Sequence, residues 1–238
     1  MSKIVAFVTL AILLLASPYY GAPFLLTYPL VMENQLTWLT LAPEDKQDPS
    51  HYLIAVDLDK RKLQVYIDNV LEKEYTVAIG KPETPTPVGE FRIISKSKDW
   101  GGGFGTRWLG VNVPWGIYGI HGTDEPWTIG DNESAGCIRM HNKQVEELFE
   151  MIPLGTKVVF HGALPESSFN RNLKEGSTGK DVLILQHRLR ALGFNPGNID
   201  GYFGPQTTIA IKEAQLFYQQ PLTGKADQEF FYLLGLKD

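Results

Sequence analysis

The 238 residues contain a single cysteine, Cys137, so no intramolecular disulfide can form. Basic runs are also missing. Lys and Arg number 22 against 27 Asp and Glu, and a net charge of −5 leaves no footprint for nucleic acid. Cys137 and His141 lie four apart with His121 also available, but there is no second cysteine and no His-x-x-x-His pair, and the other histidines, His51, His161 and His187, are scattered. No zinc site and no cofactor are therefore expected. Hydrophobic residues at 43% and charged residues at 21% leave an ordinary globular chain, long enough for one large or two smaller domains.

The N-terminus differs from the rest. Lys3 precedes the apolar stretch 4–16 and then Ser17-Pro18, a basic segment and an apolar segment of signal-peptide length. The apolar part is too short for a standard span of about 20 residues. Ala22 is small enough for cleavage, but Tyr20 and Pro23 make a poor site. Residues 1–22 are expected to act as a signal peptide or as an N-terminal membrane anchor. The protein is thus expected outside the cytoplasm, in the cell wall or the membrane-anchored envelope. A lone thiol there is open to oxidation, and the reason expected for keeping it is nucleophilic chemistry.

Residues 23–50 are expected to form a linker, polar and proline-bounded from Pro43 to Ser50. Residues 52–58, 63–67 and 75–79 then read as strands, with turns at 59–62 and Asp68-Asn69. Pro82, Pro85 and Pro87 make 80–89 a loop, 90–95 returns to strand, and Gly101-Gly102-Gly103 lies near Trp100 and Trp108. An apolar segment, 117–120, runs into His121. Asn142 is expected to cap a helix carrying Val145, Leu148, Phe149 and Ile152, with Pro153 and Gly155 ending it. A strand at 157–160 closes a mainly β domain, 51–161, with one clear helix.

A second linker is expected at 162–172. From Leu173 the period becomes helical: Val182, Leu185, Leu189 and Leu192 share a face and Gly193 stops it. Pro205 opens a second helix and Asp227 caps a third, to Leu236. Residues 173–238 form a small three-helix α domain, near the lower size limit for independent folding.

A thiol attacks as thiolate and needs a base or a cationic neighbour near neutral pH. His121 is the candidate base, because the loop 122–136 can fold back and bring Cys137 to it. Gly136 has no Cβ and lets substrate approach the backbone closely. The amides of Gly136 and Cys137 are candidate oxyanion donors. Arg139 is a candidate either for binding a substrate carboxylate or for a structural ion pair.

Ile120-His121-Gly122-Thr123, then Ser134-x-Gly136-Cys137-Ile138-Arg139-Met140, with Thr84-Pro85-Thr86-Pro87-x-Gly89-x-Phe91 upstream, resembles the L,D-transpeptidase catalytic domain, the YkuD family. The resemblance implies a β-sandwich-like fold, Cys137 as nucleophile and His121 as base, oriented by the carbonyl of Gly122. It places Arg139 and Ser134 near the substrate. Ala135 stands where many members carry a histidine. Residues 173–236 resemble the peptidoglycan-binding domain 1 family, through Leu173-x-x-Gly176-x-x-Gly179-x-Asp181-Val182-x-x-Leu185-Gln186 and Asp200-Gly201-x-Phe203-Gly204. Ala214 replaces that family's usual phenylalanine, and Phe217 is expected to fill the space. The activity implied is an exported cysteine transpeptidase that forms 3→3 cross-links between peptidoglycan stem peptides through a thioester, while the helices hold the glycan polymer. The alternatives are an L,D-carboxypeptidase, if water resolves the thioester, and a catalytically weak wall-binding scaffold, which Ala135 favours.

Overall fold

The computed structural model describes residues 48–99 and 101–237. The expected signal or anchor, and the linker up to residue 47, lie outside the described residues. Among those described, no helix is long and apolar enough to cross a membrane.

Ten strands follow in order: β1 (Tyr52–Asp57), β2 (Lys62–Ile67), β3 (Val70–Thr76), β4 (Ile79–Gly80), β5 (Gly89–Lys98), β6 (Arg107–Val111), β7 (Tyr118–His121), β8 (Asn132–Ser134), β9 (Ile138–Arg139) and β10 (Lys157–His161). The expected sandwich is realised as one eight-stranded sheet, ordered β3-β2-β1-β10-β5-β6-β7-β9, beside a two-stranded pair of β4 and β8. Strand β5 joins its halves. It pairs with β10 through residues 89–92 and with β6 through 93–98, and the register shifts between Ile93 and Ser95. A bulge bends a strand, and here it lets the sheet curl over its own core. Ile54, Val56, Leu63, Ile93, Leu109 and Ile120 meet in that core from both halves.

The turn between β2 and β3 shows local chemistry at work. Asp68 and Asn69 have φ of 51° and 65°, the positive pair that a type I′ hairpin turn needs and that these two residue types tolerate. Edge strand β3 buries only Tyr75 and exposes Glu72, Lys73 and Glu74, which discourages pairing with another chain.

Helix α1 (Asn142–Met151) buries Val145, Leu148 and Phe149. Its N-cap is His141, not Asn142 as expected, because the Asn142 side chain is used elsewhere. The end of the first expected linker is also structured. Asp48 caps a 3₁₀ turn, Pro49–His51, by accepting from the amide of Ser50 at 2.8 Å.

Three helices complete the fold: α2 (Lys180–Ala191), α3 (Pro205–Phe217) and α4 (Gln228–Leu233). Two buried glutamines tie their loops. Gln186 accepts from the amides of Asp200 and Gly201 and donates to the Tyr202 carbonyl and to Thr207. Gln215 does the same for Gly224, Lys225 and Thr223. Helix α4 stops before Leu236 because Gly235, at φ 63°, lets Leu236 donate back to the Phe231 carbonyl. Phe217 does not fill the space beside Ala214: it is 71% exposed, and Phe203, Phe230 and Phe231 make the aromatic core.

Residues 162–172 are not a free linker. Phe169 is buried against Phe231 at 4.7 Å between ring centroids, and Arg171 pairs with Asp181 at 2.8 Å. The helices also share the sheet's core. Leu183 and Ile199 join its apolar cluster, the Glu90 amide donates to the Ile199 carbonyl at 2.7 Å, and His187 Nε2 donates to the Val88 carbonyl at 2.8 Å. Arg190 pairs with Glu90.

Candidate active site

Strands β7 and β9 run parallel, with Ile120 opposite Ile138 and His121 opposite Arg139. Ile120 and Ile138 are fully buried on the core side. Because side chains alternate along a strand, Cys137, His121 and Arg139 share the other side. There they line a cleft of about 700 Å³ with Phe104, Ile117 and Glu125. The sheet thus brings together three residues that are separated in the chain.

His121 is only 3% exposed. Trp108, its partner across β6 and β7, stacks on the imidazole at 5.6 Å, and Phe104 meets it edge-on at 4.8 Å. The Nδ1 atom lies 2.5 Å from the Gly122 carbonyl. A carbonyl can only accept, so Nδ1 carries the proton and Nε2 keeps a lone pair. Burial pushes the imidazole down to about 4, against the Gly122 carbonyl, which favours the charged form; the Arg139 charge lowers it further and the Phe104 carbonyl raises it. Burial also pushes the Cys137 thiol up, opposed by the Gly119 amide and the Arg139 charge. Both groups are therefore neutral near pH 7. The thiol donates to the Ile117 carbonyl at 3.9 Å, and no thiol–imidazole hydrogen bond occurs among the described residues.

The loop before Cys137 is held from within. Ser134 donates to the Cys137 carbonyl at 2.5 Å and accepts from the Gly136 amide at 3.0 Å. The Gly136 amide is thus engaged by Ser134, and Ser134, which also lines the cleft, holds the loop through its hydroxyl. Gly136, at φ 114°, needs glycine for its backbone and because a Cβ would lie 2.8 Å from Tyr118. Arg139 pairs with Glu125 at 3.0 Å, leaving Nε buried without a partner.

Asn142 is the residue the sequence did not reveal. Its Oδ1 accepts from the Thr106 amide at 3.2 Å and the Thr123 amide at 3.1 Å, pinning the loop that carries Phe104 to the segment after His121. A Cβ at Gly105 or at Gly122 would lie 2.1 Å from that oxygen, so both glycines make room for it. Asn142→Ala is expected to lower stability by about 2 kcal/mol, because two part-buried amides lose their acceptor. Asn142→Asp keeps the acceptor and is expected to restore most of the loss. Urea midpoints of the two variants check this.

A curled β-sheet places a buried imidazole and a thiol on one face of adjoining strands, within one cleft. A family model described as "L,D-transpeptidase catalytic domain" matches residues 51–160, and one described as "Putative peptidoglycan binding domain" matches 178–234. "Putative L,D-transpeptidase YqjB" of Bacillus subtilis is 39% identical over 151 residues, 57% of this chain and 82% of that protein. "Putative L,D-transpeptidase YkuD" of the same organism is 46% identical over 110 residues, 46% of this chain. The chain spans about two thirds, 66%, of that second relative's length. The solved catalytic domain of an Enterococcus faecium L,D-transpeptidase is 31% identical, with a TM-score of 0.41 over 46% of this chain and 96% of that one. The chain belongs to the L,D-transpeptidase family.

Proposed function

We propose that this protein is an extracytoplasmic transpeptidase that joins peptidoglycan stem peptides by 3→3 cross-links through a Cys137 thioester. The placement of Cys137, His121 and Arg139 on one face of β7 and β9, within one cleft, carries the reading. Rotation about the Cα–Cβ bond carries the thiol from the Ile117 carbonyl toward the imidazole, in line with the looser geometry of unliganded sites. Nε2 takes the thiol proton as sulfur attacks the carbonyl of the third stem residue. The Gly122 and Phe104 carbonyls favour the imidazolium that results. That proton then passes to the leaving amine of the terminal D-alanine, and a thioester remains. The amine of a neighbouring stem attacks it, forming the new amide and restoring the thiol.

With the Gly136 amide engaged by Ser134, the Cys137 amide is the backbone donor offered to the oxyanion. Arg139, which lines the cleft and pairs there with Glu125, offers its guanidinium to a substrate carboxylate or carbonyl. Ala135 is exposed at the cleft rim, so its short side chain widens the entrance without touching the Gly122 bond that orients His121. The helices add local concentration of polymer.

Incubation with a soluble disaccharide-tetrapeptide tests the reading. Cross-linked dimer with loss of D-alanine is expected. Tripeptide alone assigns the carboxypeptidase reaction. No product, with sacculus binding retained, assigns the scaffold role.

A further inference from the structure

The β6–β7 hairpin, residues 112–117, touches the helical domain at one end and the thiol at the other. Its Trp115 indole sits on Gly201, where a Cβ would lie 2.1 Å from Cζ3. Gly201 is fixed in turn, since its amide donates to Gln186 at 2.8 Å. On its other side Trp115 meets Tyr118 at 6.3 Å between ring centroids, tilted 67°. The Tyr118 ring lies between Gly116 and Gly136, and a Cβ at either glycine would lie 2.8 Å from it. Ile117, beside it, supplies the carbonyl that holds the thiol. A run of packed contacts thus leads from the helical domain to the loop bearing Cys137.

We propose that the helical domain is a structural part of the active site, and that Trp115 is a positioning residue that transmits its support to Tyr118 and the Cys137 loop. This rests on reading Cys137 as the nucleophile. It gives the domain a role separate from holding polymer. A domain that only concentrates polymer has no effect on a soluble substrate, whereas a brace affects that substrate too.

The test uses the full chain and the soluble disaccharide-tetrapeptide. Trp115→Ala is expected to lower kcat roughly ten- to a hundredfold, the loss that follows a small misplacement of reacting groups, with KM changed far less. Trp115→Phe is expected to recover most of it, and co-sedimentation of both variants with sacculi to match wild type. The double variant His187→Ala/Arg190→Ala loosens the docking from the helical side without touching the hairpin. It is expected to lower kcat in the same way, and it decides the matter if Trp115→Ala does not fold. An unchanged kcat in a folded variant overturns the proposal. Should wild type release no product, the transpeptidase reading fails. The brace is then read from the pH profile of iodoacetamide alkylation, which is specific because Cys137 is the only thiol. A profile moved toward the ordinary thiol range in both variants supports it, and an unmoved profile overturns it.

Discussion

Cys137→Ser is expected to lower turnover of the soluble tetrapeptide by on the order of 10⁴- to 10⁶-fold, the scale seen when a nucleophile acting as part of a unit is removed. The substitution is nearly isosteric, so the loop should stay intact: Ser134 still bridges the residue 137 carbonyl and the Gly136 amide. The loss is chemical. An imidazole held down at about 4 is a weak base. It can take a proton from a thiol as attack proceeds, but a hydroxyl gives up its proton far less readily. Stopped-flow or product-release assays check the rate, and an unchanged denaturation midpoint checks the fold.

His121→Gln is expected to cost about a hundredfold or more at pH 7 and to change the shape of the pH profile. In wild type both groups are neutral, so kcat/KM should be flat from mildly acidic to mildly alkaline pH. It should fall as pH drops through about 4, where the imidazole gains its proton and stops acting as a base. Without the imidazole the reaction relies on spontaneous thiolate. Burial holds the thiol above its ordinary range, so little of it is ionised at neutral pH. The variant's rate should then rise about tenfold per pH unit toward the alkaline range, with the acid limb near 4 gone. A variant that keeps that acid limb would mean another group is the base.

Much of the fold was legible because its signals are local. The run 52–58 and the alternation in 63–67 marked β1 and β2, and Asp68-Asn69 marked the turn beyond them. Gly193 and Pro205 bounded helices in the α domain for the same reason. What stayed hidden depends on register and on distant partners. Trp108 covers His121 because β6 and β7 pair with those two residues opposite, and no local pattern fixes that pairing. Asn142 looked like a cap by residue type, yet two amides from separate loops compete for its oxygen and win. Phe169 was the one aromatic residue in a polar stretch, and that was the available sign that the stretch docks. At the candidate site, Cys137, His121 and Arg139 were picked out from the chain, and the structure brings them to one cleft. The use of the Gly136 amide by Ser134, and the turn of the thiol toward Ile117, were not, because they follow from backbone dihedrals at 134–137.

The most direct test of the account is intact-mass spectrometry of the full chain quenched during turnover of the disaccharide-tetrapeptide. An adduct equal to the donor minus D-alanine is expected, mapped to Cys137, discharged by an added stem amine and missing from Cys137→Ala. Turnover that proceeds without an adduct, or that survives in Cys137→Ala, would contradict it.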